Sequence, residues 1–386
     1  MKIFTVFLTL SALFLVGSAQ QLQPLSSFKG MSVHNEFSDF KVYPPYNIYV
    51  SAHSDATSAL QQISVVTESG TKTLFELKQN LQASGEITGY PVLKPAYLTT
   101  TLSDNDLKRL NGVIYISSSK QYADNTFHVY GVSKSQNINL QALGKVDTTI
   151  LFLNTNMGTN PYKSTIISQW KQDSTALAYL YAGFPQDTAE GKNTQIFSNP
   201  MHTDKADLYF ANVEKFSLTL VAFYLKTYRG VNFRIEPGYS SIDSSTTTDV
   251  TTTGFYMKPL EKDDSTITVN IKRDTRFSGA SGANVIGNLT TGGMVTVGFY
   301  EGASKYEDSA APNPFCSPWS IPYILQNMKI WSTSSNPKNG QYFVQYFIAQ
   351  GAIGSGTTSR PGQTTTRSSG TVQFFVSVAS LMILWL

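Results

Sequence analysis

The chain has 386 residues, of which 29 are Lys or Arg and 26 are Asp or Glu, a net charge of +3 at pH 7. So small and evenly scattered an excess does not point to nucleic acid or an acidic surface as the partner. A single cysteine, Cys316, excludes an intramolecular disulfide, so a secreted fold of this length must be held together by burial.

Met1 and Lys2 precede an apolar block, residues 3–16, that ends in Gly17-Ser18-Ala19. This is the order of a secretory signal peptide, with cleavage expected after Ala19. The block is shorter than the ~20 residues of a spanning helix, and a retained signal anchor is the alternative. From residue 20 onward, short runs rich in Val, Ile, Thr, Tyr and Phe alternate with Gly, Pro, Asn, Asp and Ser, the pattern of antiparallel strands. In the first half, strands are expected over residues 46–51, 63–67, 113–117, 126–132 and 148–153. Ser103 followed by Asp106 and closed by Asn111-Gly112 predicts one or two helical turns over 103–112. Weaker helical patterns cover 164–172 and 320–331.

Residues 156–205 are richer in Asn, Asp, Gln, Pro and Gly than their flanks, with a strand-like run at 177–181. Beyond them, strands are expected over 207–212, 216–228, 231–235, 254–258, 265–272, 294–300 and 341–350. Residues 266–271 alternate polar and apolar, as a strand with one wet face must. The expected fold is all-β: two antiparallel, jelly-roll-like β-sandwich domains with few short helices. The signal peptide is 1–19, the N-terminal sandwich 20–155, a connecting segment 156–205 and the C-terminal sandwich 206–351. With both end signals removed about 335 residues remain, too many for one ordinary sandwich and enough for two. No internal repeat is evident.

Residues 352–370 form a Ser/Thr/Gly stalk, and 371–386 an apolar tail that ends without Lys or Arg. Small site, spacer and tail are the order read for glycolipid attachment, with Gly354, Ser355 or Gly356 as the attachment residue. A short transmembrane anchor and a buried tail are the alternatives.

No catalytic, metal or nucleotide motif stands out, so neither a cofactor nor a metal is expected. His34, His53, His128 and His202 stand apart from one another and from Cys316, and no zinc spacing results. Gly279-Ala280-Ser281-Gly282-Ala283 has Ala where a nucleophile elbow carries its last glycine, and reads as a glycine-rich loop. Asp263-Asp264 reads as a turn between two strands rather than a calcium loop. Cys316 reads as a buried apolar residue, with an intermolecular disulfide or a reactive thiol as the sharper alternative. Asn288-Leu289-Thr290 is the single N-glycosylation sequon and marks an expected exposed loop. The 21 Tyr and 23 Phe suit strand packing, and those left exposed suit stacking on sugars or on partner proteins.

Three stretches carry a family likeness: Phe233-Arg234-Ile235-Glu236-Pro237-Gly238-Tyr239, Thr251-Thr252-Thr253-Gly254-Phe255-Tyr256-Met257 and Thr266-Ile267-Thr268-Val269-Asn270-Ile271. With the signal, stalk and tail, they make the chain resemble the secreted and lipid-anchored CUB-like proteins of nematode type. The disulfides and acidic calcium site of ordinary CUB domains have no counterpart here. The resemblance implies an adhesion or recognition module associated with innate defence at an epithelial surface. The expected function is therefore non-enzymatic recognition at the cell surface. The membrane is met through a lipid anchor, carbohydrate or protein is the ligand, and nucleic acid has no part. A secreted hydrolase with dispersed carboxylates and a structural coat or matrix component are the alternatives.

Overall fold

The computed structural model describes residues 20–140, 146–155, 164–186, 194–248, 251–273, 278–289, 292–312, 317–334, 336, 338 and 340–351. The expected class holds: strands dominate and the helices are short. The first eight strands are β1 (Gln21–Pro24), β2 (Asn35–Glu36), β3 (Tyr46–Ala52), β4 (Ile63–Thr67), β5 (Gly70–Thr73), β6 (Tyr90–Val92), β7 (Tyr97–Thr100) and β8 (Gly112–Ile116). Next come β9 (Phe127–Gly131), β10 (Gln136–Asn139), β11 (Asp147–Leu153), β12 (Thr165–Gln172), β13 (Leu177–Ala182) and β14 (Gln195–Asn199). Three two-residue pieces follow, β15 (Met201–His202), β16 (Asp207–Leu208) and β17 (Asn212–Val213). Then come β18 (Phe216–Leu218), β19 (Ala222–Tyr228) and β20 (Val231–Pro237). The last group is β21 (Ser245–Thr248), β22 (Thr252–Lys258), β23 (Ile267–Lys272), β24 (Gly279–Asn288), β25 (Met294–Glu301), β26 (Ser304–Ala310), β27 (Ser317–Ile321), β28 (Asn327–Thr333) and β29 (Gln341–Gln350).

These strands pair into three sandwiches of one topology. One sheet of each reads, in spatial order, β1, β8, β3, β6; then β10, β20, β12, β18; then β22, β29, β24, β27. The facing sheets read β2, β7, β4, β5; then β11, β19, β13, β14; then β23, β28, β25, β26. Taken in chain order, each strand holds the same place as its counterparts in the other two sandwiches. β9 and β21 add one edge strand each, both parallel to their neighbours β11 and β23. Among the described residues the first sandwich has no strand at that place. The two-domain division is thus corrected: the 156–205 connector supplies β12, β13 and β14, and the boundary at 155 cuts a sheet in which β11 pairs with β19.

Each sandwich has a core between its two sheets, as with Ile48, Ile114, Val65 and Leu98 in the first. In the third, the alternation over 266–271 does what a half-wet strand should, burying Ile267, Val269 and Ile271 against Val297 and Ile330. The seams explain the runs that are apolar on both faces. In β8, Ile114 and Ile116 face the first core, while Val113 and Tyr115 pack against Phe127, Leu151 and Leu153 of the second sandwich. In β22 and β29, Tyr256 and Val344 face the third core, while Phe255, Met257 and Phe343 enter the second. Gln345 clips that seam: it accepts from the Ser198 amide at 3.0 Å and donates to the Ser198 carbonyl at 2.8 Å.

The helix expected near Ser103 is present as Asp104–Lys108, with Ser103 and Asp106 forming a reciprocal capping box. The other helical expectations are overturned. Residues 165–172 form β12, because Thr165, Ile166 and Ile167 pair with β18 and β20. The 320–331 pattern is divided between β27 and β28, both paired in the third sandwich. The run 216–228 breaks into β18 and β19, which lie in opposite sheets.

Candidate functional site

β17 lies parallel to the start of β22, with Asn212 opposite Thr252 and Val213 opposite Thr253. The Glu214 amide continues the ladder by donating to the Thr253 carbonyl at 2.9 Å, which sets Glu214 beside Gly254. Across β22 and β29, Gly254 faces Tyr346. A Cβ on Gly254 would fall on the Tyr346 ring, so the glycine is what lets that ring cross the strand. The Tyr346 hydroxyl then donates to Glu214 Oε2 at 2.7 Å. Burial pushes the Glu214 carboxyl above the usual carboxylate range, and the Tyr346 bond only partly offsets it. Burial, reinforced by the Glu214 charge, pushes the Tyr346 phenol well above 10.

Glu214 opens onto a cleft of about 490 Å³ walled by residues 212–215, 240–242 and 245–247 with Thr252. The connector from the second sandwich to the third is pinned there by Ser217. Its hydroxyl accepts from the Ser240 amide at 2.8 Å and donates to the Ser240 carbonyl at 3.1 Å. Thr247, on β21, is 2% exposed, and among the described residues its hydroxyl has no hydrogen-bond partner. Such a group asks for a water or a ligand.

The histidines go to four separate places. His34 stacks on Tyr97 at 4.0 Å between ring centroids. His53 meets Asp55 at 2.9 Å, while His128 meets Glu86 and His202 meets Asp207, each at 2.8 Å. Among the described residues no three of His, Cys, Asp and Glu gather as a metal site. Asp264 does not sit in the expected turn: the turn falls at Leu260–Glu261, and Asp264 accepts from the hydroxyls of Tyr342 and Ser332. The expected glycine-rich loop at 279–283 is part of β24, where Gly282 leaves room for the Phe347 ring and the Trp319 carbonyl. Asn288 ends β24 rather than lying within a loop, and its backbone pairs with Gln341. Ala19, Thr290, Cys316, Gly354, Ser355 and Gly356 lie outside the described residues.

Sequence reasoning missed Glu214, Thr247, Gly254 and Tyr346. The one available signal was Gly254 inside a strand-forming run, which marks a close approach.

A polar cleft thus lies where the second and third sandwiches meet. Residues 43–383 match the family described as "Transmembrane glycoprotein", and the chain belongs to that family. No curated relative matches. Among solved structures the chain is similar to the CUB1-EGF-CUB2 domain of human MASP-1/3, at 9% identity and a TM-score of 0.18, over 56% of this chain and 99% of that one. It is also similar to a structure titled "The Triple Jelly Roll Fold and Turret Assembly in an Archaeal Virus", at 10% identity and a TM-score of 0.18, over 86% and 81%. Among the described residues no helix is long and apolar enough to cross a membrane.

Proposed function

We propose that the chain is a non-enzymatic recognition protein displayed at the cell surface. In this reading the signal peptide is removed after Ala19 and the apolar tail is exchanged for a glycosylphosphatidylinositol at Gly354, Ser355 or Gly356. Partners are then the membrane, through that lipid, and a carbohydrate or protein ligand. Innate defence at an epithelial surface is the setting that the CUB-like resemblance implies.

The observation that carries the reading is the layout of β24 and β29. Gln350, where the chain leaves the third sandwich toward the stalk, pairs with Gly279, whereas the sequon residue Asn288 pairs with Gln341. At ~3.4 Å per residue the sequon lies roughly 30 Å from the exit. A tether at one end and a glycan at the other is the arrangement a displayed protein needs. Membership in a glycoprotein family supports the same reading. Against the hydrolase alternative, the residues walling the cleft include one carboxylate, Glu214, where carboxylate-pair hydrolysis takes two.

The test is an epitope inserted between Ala19 and Gln20, ahead of β1, and stained on intact, unpermeabilised cells, with peptide-N-glycosidase digestion alongside. Surface staining together with a glycosidase-sensitive mobility is expected. Staining only after permeabilisation would refute surface display.

A further inference from the structure

The cleft beside Glu214 has chemistry left over after its structural bonds are made. Tyr346 occupies one carboxylate oxygen of Glu214, and among the described residues the other oxygen accepts no hydrogen bond. The Thr247 hydroxyl is buried at the cleft wall with no partner among the described residues. Ser240, Ser245 and Thr246 add hydroxyl-bearing side chains to the lining, and Val213 and Ile242 add apolar surface. We propose that this cleft binds a neutral pyranose residue of a glycan, with Glu214 accepting from sugar hydroxyls and Thr247 pairing with one of them. The inference deepens the recognition role proposed above and rests on it.

Charge selects the ligand class. Lys215 stands next to Glu214 in the lining, so a free cation meets a cation and an anion meets a carboxylate. A hard divalent cation such as calcium would take six or more oxygen ligands, usually with several carboxylates among them, and the cleft offers one carboxylate. A sugar hydroxyl both donates and accepts, which matches an acceptor-only carboxylate and an amphoteric threonine hydroxyl in one lining. The C–H face of a pyranose suits Val213 and Ile242. The volume of about 490 Å³ falls within the range of small-ligand pockets, roughly 300–1,000 Å³. The exposed pair Tyr306 and Tyr323, 5.4 Å apart between centroids, is the rival sugar platform.

The experiment titrates the full chain, purified from animal cells, with methyl pyranosides of mannose, glucose, galactose, fucose and N-acetylglucosamine. Saturation-transfer NMR and calorimetry are the readouts. At least one pyranoside should bind saturably in the millimolar range or tighter. Glu214→Gln keeps an acceptor for Tyr346 but removes the charge, and should weaken that binding about tenfold, the loss of one charge-assisted hydrogen bond. Thr247→Val should weaken it about threefold or more and carries the test if Glu214→Gln fails to fold. Tyr323→Ala should leave the affinity unchanged, and neither methylammonium nor inorganic phosphate should compete. Absence of saturable pyranoside binding, loss of binding in Tyr323→Ala, or competition by methylammonium would overturn the inference. Each of these leaves surface display standing, because display is read by the staining of intact cells.

Discussion

Phe255 belongs to a strand of the third sandwich, yet its ring completes the core of the second. It is 1% exposed and lies 5.1 Å from the Phe216 ring, 6.2 Å from Phe343 and 6.3 Å from Phe197, between centroids. Phe255→Ala removes a buried ring from a site walled by rigid aromatics that have little freedom to collapse inward. The cost should be about 3–5 kcal/mol, toward the upper part because each lost aromatic pair adds roughly 0.5–1.5 kcal/mol beyond area burial. Since the ring bridges the seam, β13 and β14 of the second sandwich should lose protection together with β22 and β29 of the third. Hydrogen exchange followed by mass spectrometry on the full chain reads these strands separately. Ile330→Ala is the comparison: Ile330 is fully buried in the third core, and its truncation should cost about 2–5 kcal/mol while sparing β13 and β14. If Phe255→Ala deprotects only the third sandwich, as Ile330→Ala does, the shared seam core is refuted.

Glu214→Gln should stabilise the protein near pH 7, and the advantage should vanish in acid. The sign follows from burial: the folded carboxyl titrates above its ordinary value of 4.5, so its protonated form is the one folding favours. The wild-type residue thus contributes most below about pH 4.5 and loses that contribution as pH rises through the raised folded value. Thermal melts of the two proteins across pH 3–8 check this, and a pH-independent difference would contradict it. Gly254→Ala should cost about 1–3 kcal/mol by overpacking, because the new methyl falls on the buried Tyr346 ring; an unchanged urea midpoint would count against the Gly254–Tyr346 geometry. Glu86→Leu breaks the partly buried bond to His128 that joins the loop before β6 to β9. It should cost about 1 kcal/mol in urea unfolding, with exchange quickening at β9 first. Asn288→Gln should move the band on a gel to where peptide-N-glycosidase moves the wild type, and a digested mutant that shifts further would mean another glycan site.

Local chemistry was plain in the sequence wherever one segment determines its own structure. Ser103 with Asp106 gave the cap, and the alternation over 266–271 gave both β23 and the face it buries. The threefold topology was hidden because strand order is set by pairings far apart in the chain, and similar strand order needs no similar residues. The start of β24 reads as a loop in the sequence because Gly279 and Gly282 resemble turn residues until β29 and Phe347 supply the reason for their missing side chains. β26 is silent for the opposite cause: Ser304 to Ser309 are exposed, so no apolar face marks that edge strand. The cleft was beyond sequence reasoning for the same reason as the topology, since Glu214 and Tyr346 meet across 132 positions.

Display on a tether is the claim on which the remaining functional reading depends. Intact animal cells expressing the full chain, treated with phosphatidylinositol-specific phospholipase C, measure it directly as protein entering the medium. The account predicts release of the glycosylated three-sandwich body with matching loss of surface staining. Retention on the cells, beside a lipid-anchored control protein that is released, would contradict it and point to a short transmembrane anchor.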